Sequence, residues 1–272
     1  AELHHAIIPN DIVRFSQTSD LSEAKENATS FLKGLNEFYK EVDFENYLVE
    51  TRPFYDRVLF EVNMALPKSN YINTMERFYN QRFDSYVLIP SLTLPRGMGF
   101  GLRNKTNKIQ RAFNVFGNFD DQYISNKDSL NMGFANISRI NELSIHEFGH
   151  SFVNPVIDQL PVGMIETSTN LYEPLRPSME PQGYANWLSC VYEHFVRAGE
   201  VMIAQKMGSK ADADRLLNSY IKERNFIYLP LILQELRKYD QNRNYPYLKA
   251  VESAIIRINK IAQKIKRTGN SL

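Results

Sequence analysis

The sequence predicts an α+β fold in which helices predominate and a small sheet precedes one central helix. Three observations support this prediction. Apolar residues recur at three- and four-residue steps over about residues 21–83, short apolar runs typical of strands occupy 86–116, and helical periodicity returns from about residue 138. The order of helices, a few strands and then more helices is typical of an α+β arrangement.

The first 83 residues read as a helical region. Apolar residues recur there at helical spacing: Phe31, Leu35, Phe38 and Val42. Because proline restricts the residue before it, Arg52-Pro53 and Leu66-Pro67 predict breaks in this region. We therefore expect an N-terminal helical region, 1–83, packed on a core formed by 84–272, the two making one compact unit.

Three strand candidates follow. Tyr86–Pro90 is a short apolar run, Gly97–Leu102 alternates glycine with large side chains, and Arg111–Phe116 is the third. The polar segment Asn104–Lys108 separates the last two candidates and predicts a hairpin turn.

Helices account for most of the remainder. One is predicted from Ser138 to Asn154-Pro155, and others at about 182–207, 211–223, 225–240 and 246–266. The segment 156–181, rich in proline, glutamate and serine, reads as a loop. Structureless connections of this length are uncommon and often serve as lids or binding loops.

Composition restricts the classes of function. The 272 residues have a net charge of +1, so no overall field favours nucleic acid. No apolar run approaches the length of a membrane span, and the single cysteine, Cys190, has no partner for an internal disulfide. The chain begins at Ala1 without a signal-peptide pattern, from which we expect an exported protein, periplasmic, cell-surface or secreted, whose leader has been removed.

The stretch SIHEFGHSFVNP, residues 144–155, carries the chemistry. On a helix that advances about 100° per residue, His146 and His150 share a face and can present both imidazoles to one metal ion. Glu147 lies beside the pair, where a carboxylate can take a proton from water without binding the metal. The opposite side is apolar: Ile145, Phe148 and Phe152. The alternative is an ordinary helix that carries two histidines.

The motif His146-Glu147-Phe148-Gly149-His150 resembles the signature of the zincin metallopeptidases. The resemblance implies that both histidines bind Zn²⁺, one ion per chain, and that Glu147 is the general base. Asn154 and Pro155 occupy the stretch where the metzincin branch continues its helix towards a third histidine, so that branch is excluded. A gluzincin-like arrangement remains, in which a glutamate on a later helix is the third ligand. The motif followed by Ser-Phe-Val-Asn-Pro is also similar to an uncharacterised family of exported bacterial proteins described as domains of unknown function.

The best candidate for that third ligand is Glu193. It lies on the polar side of the predicted helix 182–207, away from the apolar side chains of Trp187, Leu188, Val191, Phe195 and Met202. A polar stripe on a late apolar helix is where a gluzincin would place its ligand. Alternatives for the third ligand are His194, Glu200 and Glu166, whereas His4 and His5 lie near the terminus. A solvated Glu193–Arg197 pair would be the structural interpretation.

Other residues have candidate roles around this site. Arg197 would orient Glu193 or hold a substrate carboxylate, and Tyr172 or Tyr184 would donate a hydrogen bond to an oxyanion. The resemblance places Gly97–Leu102 as the edge strand that pairs with an extended substrate, although an ordinary glycine-rich strand is the alternative.

Together these residues predict a zinc-dependent hydrolase that cleaves peptide bonds in a peptide or protein substrate. Two alternatives stay open: a binding or structural protein that retains the zincin scaffold without catalysis, and a zinc hydrolase that acts on another bond. The sequence supports catalysis through Glu147, because a purely structural zinc site needs no adjacent base.

Overall fold

The computed structural model describes Thr18 and residues 20–67, 70–106, 108–125, 129–161 and 163–268. Over these residues the fold is α+β with helices predominating, as predicted. Contacts divide the chain into two compact units, Ala1–Arg57 with Ser125–Leu130 and Val58–Ile124 with Asn131–Leu272. The predicted division at residue 83 stays a prediction.

The first unit contains helix α1 (Leu21–Glu41) and the beginning of α2 (Phe44–Met64). Asp20 caps α1 by accepting hydrogen bonds from the backbone N–H groups of residues 22 and 23. Asp43 separates the two helices with a positive φ of 46°, and the Phe44 ring then packs against Phe38 and Tyr39 at 6.5 and 5.4 Å between centroids.

The break predicted at Arg52-Pro53 is wrong, because α2 continues through Pro53. Proline removes one helical hydrogen bond. Pro53 is exposed, so water can bond to the carbonyl oxygen that loses its partner. The break predicted at Leu66-Pro67 is confirmed, since α2 ends at Met64.

The second unit contains a mixed sheet of three strands, β1 (Ser85–Pro90), β2 (Gly99–Thr106) and β3 (Ile109–Phe116). Their order is β1-β3-β2, with β1 parallel and β2 antiparallel to β3. All three predicted strands and the hairpin between the last two are confirmed. The hairpin strands extend further into the polar segment than predicted, and residue 107 lies outside the described residues. β2 is at an edge of this sheet.

The remaining helices also belong to the second unit: α3 (Tyr71–Tyr79), α4 (Ile137–Ile157), α5 (Arg176–Met179), α6 (Trp187–Lys206), α7 (Lys210–Lys222), α8 (Leu229–Gln241) and α9 (Tyr247–Thr268). Short 3₁₀ turns occupy Glu166–Leu171 and Glu180–Gln182. No helix among the described residues is both long and apolar enough to cross a membrane.

Two expectations about the middle of the chain are corrected. α4 passes through Pro155 and ends at Ile157 instead of at Asn154-Pro155; the proline lies in the last turn, where the loss of one hydrogen bond is tolerated. The expectation of a structureless loop at 156–181 is wrong, because its described residues include the end of α4, the 3₁₀ turn Glu166–Leu171 and helix α5, and bury Leu171, Leu175 and Met179 in the core.

Aromatic packing holds α4 in place. The ring of Phe152 stacks on Tyr79 at 4.8 Å and meets Phe83 edge-on at 5.0 Å, while Phe148 meets Tyr86 at 5.2 Å. These contacts turn the apolar side of α4 towards the core, as predicted, and leave its histidine side free to form a site.

The entry into α4 is held by polar contacts. Buried Glu61 on α2 accepts hydrogen bonds from the backbone N–H groups of Met132 and Phe134 at 2.8 and 2.9 Å. Asn136 then caps α4 by accepting from the N–H of Arg139.

Candidate metal centre

The two histidines of α4 project side by side from the same face of the helix. Their rings are 4.9 Å apart between centroids and nearly perpendicular. His146 is buried, with 8% of its surface exposed, and His150 is half-buried. The one-turn spacing that the sequence specifies therefore gives two nitrogen donors at the floor of a cleft.

Helix α6 supplies the carboxylate that completes the group. The Oε1 atom of Glu193 is 3.0 Å from His150 Nε2, and its Oε2 atom is 3.7 Å from His146 Nε2. One donor atom from each of these three side chains lies within 4.8 Å of the other two. His146, His150 and Glu193 could therefore hold a metal ion.

The donor geometry fits such an ion. Ligands at about 2.0–2.1 Å in a tetrahedron stand about 3.3 Å from one another. The Glu193–histidine distances, each to a different carboxylate oxygen, are 3.0 and 3.7 Å and so lie near that value. Glu193 Oε2 is also buried and accepts no hydrogen bond, and its contact with Arg197 Nε is long at 3.4 Å. A buried carboxylate oxygen that accepts no hydrogen bond is costly, and a metal ion would satisfy it more fully than this contact does.

Electrostatics prepare the group for a cation. Burial alone would raise the pKa of Glu193, but the charge of His146, the hydrogen bond from His150 and the charge of Arg197 together lower it well below its usual range. Glu193 is therefore ionised at neutral pH. Burial acts to lower the pKa of His150, but the hydrogen bond and charge of Glu193 raise it overall.

Glu147 is buried beside the histidines and lines the same cleft. Burial raises its pKa, and the charges of His146 and His150 oppose that rise. A carboxylate whose pKa moves towards neutrality is suited to accept and return a proton.

Two glycines of β2 make room for Glu147. A Cβ at Gly101 would collide with the carbonyl oxygen of Glu147, and one at Gly99 would lie 3.2 Å from Glu147 Oε1 and 3.1 Å from Leu143 Cδ2. The alternating glycines therefore permit β2 to pack closely on α4 at the functional residue.

Each histidine also has a polar neighbour at its other ring nitrogen, which is a hydrogen-bond partner for His150 and a charged contact for His146. Asn154 Oδ1 lies 3.3 Å from His150 Nδ1, and Glu200 Oε1 lies 3.5 Å from His146 Nδ1. Such partners orient the rings so that each Nε2 faces the Glu193 carboxylate. Glu200 is thus placed behind His146 and not among the three clustered ligands.

Arg197 links the two glutamates of α6. Its Nε atom is 3.4 Å from Glu193 Oε2, and its Nη1 atom is 3.4 Å from Glu200 Oε2. The hydroxyl of Tyr220 on α7 donates to Glu200 at 2.9 Å, and its ring lies under the Arg197 guanidinium at 4.8 Å. Arg197 is buried, so it orients these carboxylates rather than forming a solvated surface pair.

The two candidate tyrosines differ in position. Tyr184 lines the cleft, and burial together with the charge of Glu193 raises its pKa to about 12. Tyr172 is buried outside the cleft and donates its hydroxyl to the backbone carbonyl of Tyr184 at 2.7 Å. Of the two, only Tyr184 has access to a molecule in the cleft.

The other third-ligand candidates lie elsewhere. His194 points into the core, with Nδ1 2.7 Å from the carbonyl oxygen of Cys190 and its ring against Phe226; burial lowers its pKa to about 4. Glu166 is exposed and does not line the cleft. His4 and His5 lie outside the described residues. The apolar side of α6 is as predicted except at Leu188, which is 41% exposed.

The cleft itself has a volume of about 940 Å³. α4 forms its floor from Arg139 to Asn154, β2 and the two residues before it contribute residues 97–101, and α7 contributes the facing wall. Sequence reasoning missed the roles of Asn154, Glu200 and Tyr220. The four-residue step from His150 to Asn154 and the seven-residue step from Glu193 to Glu200 place these pairs on common helix faces, and those spacings were the available signal.

Comparison with known proteins gives one family. No curated protein and no solved structure matches the chain. One family model matches residues 10–258, which is most of the sequence, and its description is Domain of unknown function (DUF4932). The chain therefore belongs to the DUF4932 family.

Proposed function

We propose that this protein is a zinc-dependent metallopeptidase with a zincin-like, gluzincin-type site. The observation that carries the proposal is the convergence of His146, His150 and Glu193 on one point beside buried Glu147, in a cleft that is open to a large molecule. Each element is what hydrolysis of a peptide bond requires: a place for a Lewis acid, a base next to it, and space for the chain to be cut.

The donor set favours zinc. Two imidazole nitrogens and one carboxylate oxygen are a common ligand set for catalytic zinc, which leaves a further position for water or substrate. Among the described residues the cluster has these three members. A structural zinc site would require a fourth protein ligand, so the three-membered set supports catalysis.

Bound zinc would supply a water of lowered pKa and a polarised substrate carbonyl. Glu147 then accepts a proton from the attacking water and delivers it to the nitrogen of the leaving amine as the C–N bond breaks. One water and one amide give one carboxylic acid and one amine. Tyr184, which lines the cleft as a neutral phenol, can donate a hydrogen bond to the substrate carbonyl oxygen as its negative charge grows.

The dimensions of the cleft support a peptide substrate. From Arg139 to Asn154 the floor helix extends about 22 Å, which matches about six residues of extended chain. β2 lies along the same cleft at the edge of the sheet. An unpaired strand edge offers backbone hydrogen bonds to an extended peptide.

The test combines metal analysis with activity. Purified wild type, His146→Ala, Glu193→Ala and Glu147→Gln are analysed for zinc and assayed on a quenched-fluorescent peptide library. We expect about one zinc per wild-type chain, less in the two ligand variants, and full zinc without activity in Glu147→Gln. The matched control is Glu173→Gln, an exposed glutamate outside the cleft, which should resemble wild type.

Two results would refute the proposal. One is wild type that holds no zinc after reconstitution. The other is a Glu147→Gln variant as active as wild type, because hydrolysis would then proceed without the base.

A further inference from the structure

Four arginines line the rim of the candidate cleft: Arg96, Arg139, Arg215 and Arg224. The first three expose 54%, 67% and 54% of their side chains, and Arg224 is also exposed. Among the described residues, Glu142 is the acidic residue that lines the rim with them, while Asp121 and Asp212 pair with Arg96 and Arg215 from outside the lining. The entrance of the cleft is therefore rich in positive charge, although the whole chain has a net charge of only +1.

The floor of the cleft does not cancel this charge. Its charged side chains other than the histidines are Glu147, Glu193, Glu200 and Arg197. Tyr184 and Tyr220 also line the cleft, but burial raises the pKa of both, so they are neutral. Three carboxylates and one guanidinium leave two negative charges, which a divalent metal ion would neutralise. With the proposed zinc bound, the positive charge of the rim dominates the electrostatic potential that an approaching molecule encounters.

The arginines lie on both sides of the cluster formed by His146, His150 and Glu193. Arg139 and Arg215 meet at Glu142, one turn of α4 before His146. Further along α7, Tyr220 contacts Glu200 behind His146. Arg224 comes after the end of α7, where its carbonyl oxygen accepts a hydrogen bond from Gln182, near Tyr184. A peptide bound along α4 would therefore pass arginines before and after the bond to be cut.

These arginines are available to a ligand. Among the described residues Arg224 has no ion pair. Arg139 pairs with Glu142 at 3.8 Å, and Arg215 pairs with Asp212 at 3.7 Å and with Glu142 at 2.7 Å. Arg96 pairs with Asp121 at 2.5 Å. The side chains of all these pairs are exposed to solvent. Exposed pairs contribute little, so a substrate carboxylate can replace them. Arginine suits this role because its guanidinium binds a carboxylate through two parallel hydrogen bonds.

We infer that the cleft selects peptides that present carboxylates close to the scissile bond. This inference rests on the proposed peptidase function and adds its substrate class. The carboxylate has two sources, an acidic side chain or the C-terminus of a short peptide, and the experiment separates them.

The probes are four fluorescein-labelled decapeptides of one neutral sequence. They carry either glutamate or glutamine at the positions flanking the central bond, each with a free or an amidated C-terminus. Binding is measured by fluorescence anisotropy to zinc-loaded Glu147→Gln, so that no probe is consumed. The same peptides are then offered to wild type and the products are identified by mass spectrometry.

We expect the glutamate peptides to bind about tenfold more tightly than the glutamine peptides, and less so in high salt. Arg224→Gln and Arg215→Gln should each reduce that ratio, whereas Arg237→Gln, an exposed arginine away from the cleft, should preserve it. A preference that follows the free C-terminus would also support the inference and would assign the carboxylate to the chain end.

Equal binding of all four peptides would overturn the inference, as would a preference that Arg224→Gln and Arg215→Gln leave unchanged. The parent proposal is tested separately by the cleavage assay. Selective binding without cleavage of any peptide by wild type would refute the peptidase function while supporting carboxylate recognition. Cleavage by wild type together with equal binding of all four peptides would support the peptidase function and refute carboxylate recognition.

Discussion

Replacing Glu200 by glutamine tests whether the carboxylate behind His146 supports metal binding. Glutamine keeps the shape of the side chain but removes its charge. The variant therefore loses the charged contact to His146 Nδ1 at 3.5 Å and the ion pair with Arg197 at 3.4 Å, while the hydroxyl of Tyr220 can still donate to the amide oxygen.

The expected magnitude follows from these distances. Loss of a partner behind a metal-binding histidine lowers metal affinity by about 10–100-fold. The contact here is longer than the 2.7–2.9 Å of a strong charged hydrogen bond, so we expect the lower end, about tenfold or about 1.4 kcal/mol. Arg197 keeps Glu193 as a partner, and the free energy of unfolding of the metal-free protein should therefore fall by only about 1–3 kcal/mol.

The assay is zinc affinity by competition with a chromophoric chelator, together with urea unfolding of the metal-free protein. Glu235→Gln is the matched control, because Glu235 is also buried and ion-paired, to Lys238 at 2.8 Å and Arg257 at 2.5 Å, but lies outside the cleft. It should lose stability and keep its zinc affinity. Glu200→Gln with the zinc affinity of wild type would refute the role assigned to Glu200.

Three further predictions concern residues around the site and in the core. Gly99→Ala should keep the zinc and lower kcat about tenfold on whichever peptide is cleaved, since the new methyl group displaces the Glu147 carboxylate by a few tenths of an ångström; an unchanged kcat would contradict it. His194→Gln should lower the free energy of unfolding by about 1–3 kcal/mol and leave zinc content unchanged in elemental analysis, because this histidine faces the core. Burial acts to raise the pKa of Glu235, but its lysine and arginine partners lower it overall below 4.5. The folded state then binds fewer protons than the unfolded state, so the stabilisation from Glu235 is complete above pH 4.5 and is lost as the pH falls through the folded pKa. The stability difference between wild type and Glu235→Gln, measured by urea unfolding, should shrink on acidification; a constant difference down to pH 3 would argue against it.

Features that depend on neighbouring residues in the chain were predictable. His146 and His150 share a face because any helix places residues four apart together, and the apolar side of the same helix packs as its spacing indicates. The strands and the hairpin were also predictable, because apolar runs and polar turns are local patterns. The two predicted proline breaks show the limit of local rules, because the helix ends before Pro67 but continues through Pro53. Whether a helix tolerates proline depends on the surroundings of the freed carbonyl group, as at exposed Pro53.

The convergence of distant segments was decided by tertiary structure. Glu193 follows His150 after 42 intervening residues, and no local rule brings the two within 3.0 Å; the packing of α6 against α4 does so. The pattern of α6 left Glu193, His194 and Glu200 open as ligands. Only the rotation of the packed helix separates the candidate ligand Glu193 from the core histidine His194 and from Glu200, which contacts His146. That two histidines and a glutamate lie together on one helix follows from residue spacing alone, because helical geometry is local. Only the tertiary structure determined what faces them, because that depends on how the aromatic core packs the helices and on the two glycines that bring β2 against Glu147.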